Sequence, residues 1–252
     1  MRVIWTFNIR QGKRLAIVSL ALALFMGLLF TQSRDVATVA ATPTPSAIYQ
    51  VKTDQKVVAL TFDISWGNKI PNPVLDVLQK KQVKKTTFFL SGPWVLQNPD
   101  IVKRIHTMGY EIGSHGWAHQ NYSEHDANWI RTQVAKAQDA IKQTVGVKTT
   151  LIRTPNGDFN KSSLKTLDSL GYTVIQWRTD SRDWMKPGVQ TIINRVVSGA
   201  VPGDIILLHA SDSCPQTPEA LGAIIDQLRA KGYQFVTVSE LLANVKIKTN
   251  VE

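Results

Sequence analysis

The chain has very little cysteine: Cys214 is the only one in 252 residues. No intrachain disulfide can form, and at this length a mini-protein held together by disulfides or a metal alone is excluded. Neither an internal sequence repeat nor a recognisable nucleic-acid-binding motif is evident, so nucleic acid is not an expected partner. Acidic residues are also scarce. Asp and Glu number 19 against 29 Lys and Arg, a formal net charge of +10. That bias favours anionic surroundings such as phospholipid headgroups or acidic cell-wall polymers. Hydrophobic residues make up 43% of the chain and charged residues 19%, the balance of a globular protein that can bury a core, which rules out disorder for the bulk of it.

Charge is absent altogether from Leu15 to Phe30, where only Ser19 and Gly27 interrupt the apolar run. The run is slightly longer than a usual signal-peptide core and slightly shorter than a usual spanning helix. Arg2, Arg10, Lys13 and Arg14 precede it, which keeps the N-terminus in the cytoplasm and sends everything after Thr31 outside. Small residues around Val39–Ala41 could form a cleavage site, but they lie far from the apolar run, with Arg34 and Asp35 in between. The expectation is therefore an uncleaved signal-anchor helix over 1–32, or a secreted protein if cleavage occurs. A linker over 33–55 carries the Pro- and Thr-rich stretch Thr42–Ser46, and one folded domain spans 56–245.

Within that domain, β-branched or aromatic runs alternate with helical patterns. Seven strand candidates emerge: Val57–Asp63, Thr86–Leu90, Tyr110–Gly113, Thr149–Arg153, Thr173–Trp177, Asp204–His209 and Phe235–Val238. The clearest helix runs from Ser123 to Val145, with Ser123 as its expected cap and Gly146 at its end. Regular strand–helix alternation argues for a parallel sheet covered by helices, either an open doubly wound sheet or a closed barrel. In both, chemistry sits at the carboxyl ends of the strands.

Polar residues gather at five of those ends: Thr61-Phe62-Asp63, Ser114-His115-Gly116-Trp117-Ala118-His119, Arg153-Thr154-Pro155-Asn156-Gly157, Asp180-Ser181-Arg182-Asp183-Trp184 and Leu207-Leu208-His209-Ala210-Ser211. Each alone has an ordinary structural reading. A lone Asp63 or Asp183 is a helix cap or turn residue, and His209 is a satisfied core histidine. His115 and His119, four apart, reach one ion if the backbone turns helically between them.

In this order, each at a strand end, the five clusters resemble the polysaccharide deacetylases, the NodB-homology domain of carbohydrate esterase family four. The resemblance covers about residues 56–242. The string Thr61–Gly67 is similar to the sporulation-associated PdaB-like branch. The family fold is a distorted (β/α) barrel, here of about seven parallel strands. The resemblance implies an extracytoplasmic enzyme that removes acetyl groups from N-acetylated sugars such as those of peptidoglycan. It implies a divalent metal, zinc or cobalt, on His115 and His119. It also implies Asp63 as base, His209 as acid, and Arg153 and Asp183 as the partners that set their ionisation. Trp184 becomes a wall of the substrate pocket, and the backbone at Asn156 an oxyanion donor.

One position departs from the pattern. Most of the family has a second Asp after the base as third metal ligand, and here Ile64 stands there. Metal affinity should fall. Three outcomes follow: water fills the gap, a neighbour such as Asp158 or Asp63 itself moves in, or no metal binds. The rival reading is a catalytically inactive glycan-binding envelope protein. A barrel glycosidase would need a carboxylate pair; Asp63 and Asp183 could serve, but the histidine pair would go unexplained. Cys214, five residues past His209, reads as a buried, inert thiol.

Overall fold

The structure, a computed structural model, describes residues 45–249. The anchor expected over 1–32, the cleavage candidates at 39–41 and the first part of the linker lie outside the described residues. Among the described residues no helix is long and apolar enough to cross a membrane.

The central strand, β1 (Val57–Ile64), is buried along its whole length, as a parallel strand covered on both faces must be. Strand periodicity sorts its side chains. Val58, Leu60, Phe62 and Ile64 join the main apolar cluster with helix residues such as Val74, Leu75 and Ile224. Val57 and Ala59 join a second cluster with Phe89, Ile175 and Ile205. Asp63 continues the second set, so it ends the strand on the inner face.

Around β1 lie β2 (Thr87–Leu90), β3 (Glu111–Ser114), β4 (Leu151–Ile152), β5 (Thr173–Val174), β6 (Thr179–Asp180), β7 (Asp204–His209) and β8 (Gln234–Phe235). Seven of them follow the path β5-β4-β3-β2-β1-β7-β6, and β8 pairs with the start of β1. The ladders are parallel, giving the expected α/β fold of seven parallel strands in one path as a half-barrel. Its helices are α1 (Pro71–Lys80), α2 (Gly92–Gln97), α3 (Pro99–Thr107), α4 (Ala127–Val145), α5 (Lys161–Ser169), α6 (Val189–Gly199), α7 (Thr217–Ala230) and α8 (Val238–Thr249).

β5 and β6 end the path without pairing to each other. Ile48 bridges to Ile175 and Gln50 to Asp204, and Val51 N–H donates to the Gly203 carbonyl at 2.8 Å. These residues fall in the stretch expected as linker, and they pack onto the sheet.

The α4 helix begins later than its sequence signal. Asp126, not Ser123, caps it by accepting from Trp129 N–H at 2.8 Å, while Ser123 sits in a short 3-10 turn, Tyr122–Glu124. Gly146 closes the helix in the left-handed conformation at φ 75°, as its lack of a Cβ permits.

Candidate active site

The carboxyl ends of the strands surround one cavity of about 470 Å³. Asp63, His115, His119, Asn156, Trp184 and His209 line it. Arg153 and Asp183, both fully buried, stand behind it and act on the residues that do.

Parallel register sets the first pair. Asp63 on β1 is the Cα partner of His209 on β7, so one strand pairing places carboxylate and imidazole together. Asp63 Oδ1 accepts from an Arg153 guanidinium N–H at 2.7 Å. Arg153 is spent on further acceptors: it donates to the carbonyls of Ile175 at 3.3 Å and Gln176 at 3.0 Å, and stacks over Phe89 at 4.3 Å. A buried guanidinium needs that degree of pairing. Burial alone would push the Asp63 pKa up, but the charges of Arg153, His115 and His209 and the Arg153 hydrogen bond outweigh it. Asp63 is therefore held ionised, below the ordinary 3.8.

His209 is set the opposite way. Its Nδ1 lies 2.7 Å from Asp183 Oδ1, so Nδ1 carries the proton and Nε2 is left for the cavity. Asp183 Oδ2 accepts from His209 N–H at 2.8 Å and from the Thr217 hydroxyl at 2.7 Å, which locks the carboxylate. Burial lowers the His209 pKa, but the hydrogen bond and charge of Asp183, then the charge of Asp63, carry it above 6.5.

Between β3 and α4, the segment carrying His115 and His119 is not helical, contrary to the condition read from their spacing. Gly116, at φ 71°, turns the chain instead, and Gln133 on α4 holds the loop by accepting from Ala118 N–H at 2.8 Å. The two rings still meet, edge to face, with centroids 5.4 Å apart. His115 Nδ1 is 2.7 Å from the Arg153 carbonyl oxygen. A carbonyl only accepts, so Nδ1 carries the proton and the lone pair is on Nε2. Burial drives the His115 pKa down to about 4, leaving a neutral imidazole.

His115 and His119 have the chemistry of metal donors, although with Asp63 they do not form a trio with all donor atoms within 4.8 Å of one another. His115 has the neutral tautomer and oriented outer partner that metal-binding histidines show, and burial also lowers the pKa of His119. Asp63 Oδ2, free of Arg153, lies 3.8 Å from His115 Nε2. Two imidazoles and one carboxylate oxygen make a familiar donor set, though that oxygen belongs to the proposed base. Ile64 contributes nothing: it is wholly buried in the main apolar cluster and is not among the residues lining the cavity. Nor does Asp158, whose carboxylate accepts from the Ser123 N–H at 2.7 Å and hydroxyl at 2.9 Å.

Among the described residues, the group of three donors all within 4.8 Å of one another is Asp183, His209 and Cys214. Its carboxylate is committed to the bonds above. Burial, with the Asp183 charge, pushes the Cys214 thiol up to about 12, which leaves a neutral thiol in the core.

Asn156 occupies a left-handed position at φ 58° in the turn Pro155–Gly157, which Asn tolerates better than most residues. Its side-chain amide donates to Asn121 at 2.9 Å. Trp184 is 52% exposed at the cavity mouth. Trp66 and Trp177, not among the residues expected at the site, also line the cavity, as does Asp180 of the fourth strand-end cluster. Trp66 had a signal, an aromatic residue just beyond a catalytic-type strand end; Trp177 closes a strand candidate and was read only as its last residue.

A family model of polysaccharide deacetylases matches residues 50–175. A peptidoglycan-N-acetylglucosamine deacetylase of Bacillus cereus is 36% identical over 203 residues, covering 79% of this chain and 94% of that protein. The uncharacterised YlxY of Bacillus subtilis is 36% identical over 81% of this chain, which spans 62% of YlxY. Among solved structures, a CE4 family pseudoenzyme from Bacillus anthracis superposes with a TM-score of 0.74 at 33% identity, over 79% of this chain and 69% of that one; a mutant of it is described as having restored enzymatic activity. Fold, strand-end motifs and these likenesses converge, and the chain belongs to the polysaccharide deacetylase family.

Proposed function

We propose that this chain is a peptidoglycan N-deacetylase working outside the cytoplasm. It hydrolyses the acetamide of an N-acetylated sugar to acetate and a free amine. The observation that carries the reading is the opposed poise of two register partners in one cavity: Asp63 hydrogen-bonded to Arg153 with its pKa lowered, and His209 hydrogen-bonded to Asp183 with its pKa raised.

In the reaction, Asp63 Oδ2 takes a proton from the attacking water, and its charge persists because Arg153 holds the other oxygen. His209 Nε2–H gives a proton to the departing nitrogen as the carbon–nitrogen bond breaks. Asp183 keeps that imidazole oriented and favours its charged form. His115 and His119 would hold a divalent ion, zinc or cobalt, which when bound supplies Lewis acidity to the acyl oxygen and acidifies water. Trp184 would border the sugar, and backbone at Asn156 would donate to the developing oxyanion.

Export and anchoring are proposed from the apolar run at 15–30 behind its four basic residues. A role in spore formation is proposed from the string Thr61–Gly67. The charge of +10 suits an anionic wall.

A second reading is a glycan-binding protein without chemistry, favoured by the burial of Ile64 where a carboxylate ligand would stand. Acetate release from N-acetylglucosamine oligomers and from peptidoglycan by the full chain, with Asp63→Asn as control, separates the two. Release that needs Asp63 supports the deacetylase; binding without release supports the second reading.

A further inference from the structure

Trp66 is an apolar indole held in the open. It is 47% exposed, lines the cavity, and meets the His119 ring edge to face at 5.1 Å. An exposed side chain on a loop is ordinarily mobile, and this loop is instead tied down at each residue.

The tie is Asp212, which follows β7. Its carboxylate accepts three successive backbone N–H groups, from Asn68 at 3.2 Å, Lys69 at 2.8 Å and Ile70 at 3.0 Å. Its own N–H donates to the Trp66 carbonyl at 3.4 Å. On the other side Trp94 Nε1–H donates to the Gly67 carbonyl at 2.6 Å. Gly67 has φ 81°, and a Cβ there would overlap the Asp212 carboxylate, so the loop closes on Asp212 only because residue 67 is glycine. Packing against His119 does not by itself explain why a large apolar residue that lines the cavity stays 47% exposed. An aromatic surface carried on a fixed backbone at the cavity suits a ligand with a flat apolar face, since ordering the loop has been done in advance.

We propose that Trp66 is a substrate-contact residue that stacks on the C–H face of a pyranose ring in the N-acetylated glycan, and that Asp212 is the residue that positions it. This rests on the glycan reading of the cavity given above. It adds a recognition element just past β1, and it assigns to Asp212, three residues beyond His209, the task of presenting that element.

The test is calorimetric titration of the full chain with an N-acetylglucosamine tetramer, beside steady-state acetate release. Trp66→Ala should weaken binding about tenfold, with KM rising more than kcat falls. Trp66→Phe should keep most of the affinity. Asp212→Ala should weaken binding although the indole is still present. If Trp66→Ala binds as wild type and has an unchanged KM, the assignment of Trp66 is overturned even where wild type releases acetate. If only Asp212→Ala binds as wild type, the positioning role is overturned. Trp66-dependent binding with no acetate release supports this proposal and overturns the deacetylase reading. A wild type that neither binds nor releases acetate overturns both.

Discussion

Asp63 and His209 face each other as register partners on adjacent parallel strands, with Arg153 behind one and Asp183 behind the other. At their ordinary values of 3.8 and 6.5 a carboxylate and an imidazole are both charged only over a narrow pH interval. Here the outer partners push the two groups apart, the carboxylate downward and the imidazole upward, which widens the pH interval over which both are charged. Opposed environments of this kind are how acid and base assignments are recognised.

Replacing Arg153 by Met should be severe. Asp63 would be left as a buried carboxylate without its partner, and breaking a buried pair in this way costs about 3–5 kcal/mol. Urea denaturation at neutral pH measures the loss. The surviving folded fraction should show its acid limb of activity displaced to higher pH, because the main influence holding Asp63 ionised is gone.

Asp183→Asn should act at the other limb. The folded pKa of His209 is raised above 6.5, so the stability it contributes is complete below pH 6.5 and is lost as pH rises through the folded value. Activity that needs His209 protonated falls over the same interval. With Asn at 183 the largest raising influence disappears, and the alkaline limb of kcat/KM should move to lower pH. An unmoved limb would remove His209 from the role of acid.

The fold and the site differed in how much their sequence disclosed. β7 was legible to the residue, Asp204–His209, because an uninterrupted apolar run ends in a polar residue. β4 and β5 are two residues each, shorter than their β-branched stretches suggest, since pairing geometry and not propensity limits them. β6 was missed because Thr179–Asp180 has no apolar run of its own; it exists by pairing with Ile206 and Leu207. The site residues at strand ends could be read because chain order and motif both mark them. Asp212 could not, because its carboxylate serves backbone groups over 140 residues away, a relation that only the folded chain creates. The orientation of Ile64 was likewise hidden until strand alternation assigned it to the helix-side core.

Ile64→Asp tests that position. Without metal the variant should lose about 3 kcal/mol or more, from the forfeited burial of an isoleucine and the desolvation of a carboxylate. A carboxylate buried in the helix-side core is driven out of it toward the cavity, so zinc should restore stability with the logarithm of its concentration, and the zinc affinity of the variant should exceed that of the parent. Thermal melts with and without zinc decide it. Equal zinc affinity in both proteins would mean that position 64 does not limit metal binding.

Cys214 should be silent. With its thiol pushed up to about 12 and its side chain buried, it should resist a thiol reagent in the native protein at pH 8 and react on unfolding in urea. Cys214→Ser should retain acetate release within about twofold, consistent with a residue outside the chemistry. Rapid labelling of the native chain would contradict the inert reading.

The most direct test of the central claim is acetate release by the full chain from N-acetylglucosamine oligomers and peptidoglycan, run metal-stripped and with zinc or cobalt, beside Asp63→Asn. The account predicts release that rises on adding metal and falls about 100-fold or more in the variant. Release that is equal in Asp63→Asn, or absent from the wild type under every metal condition, would contradict it.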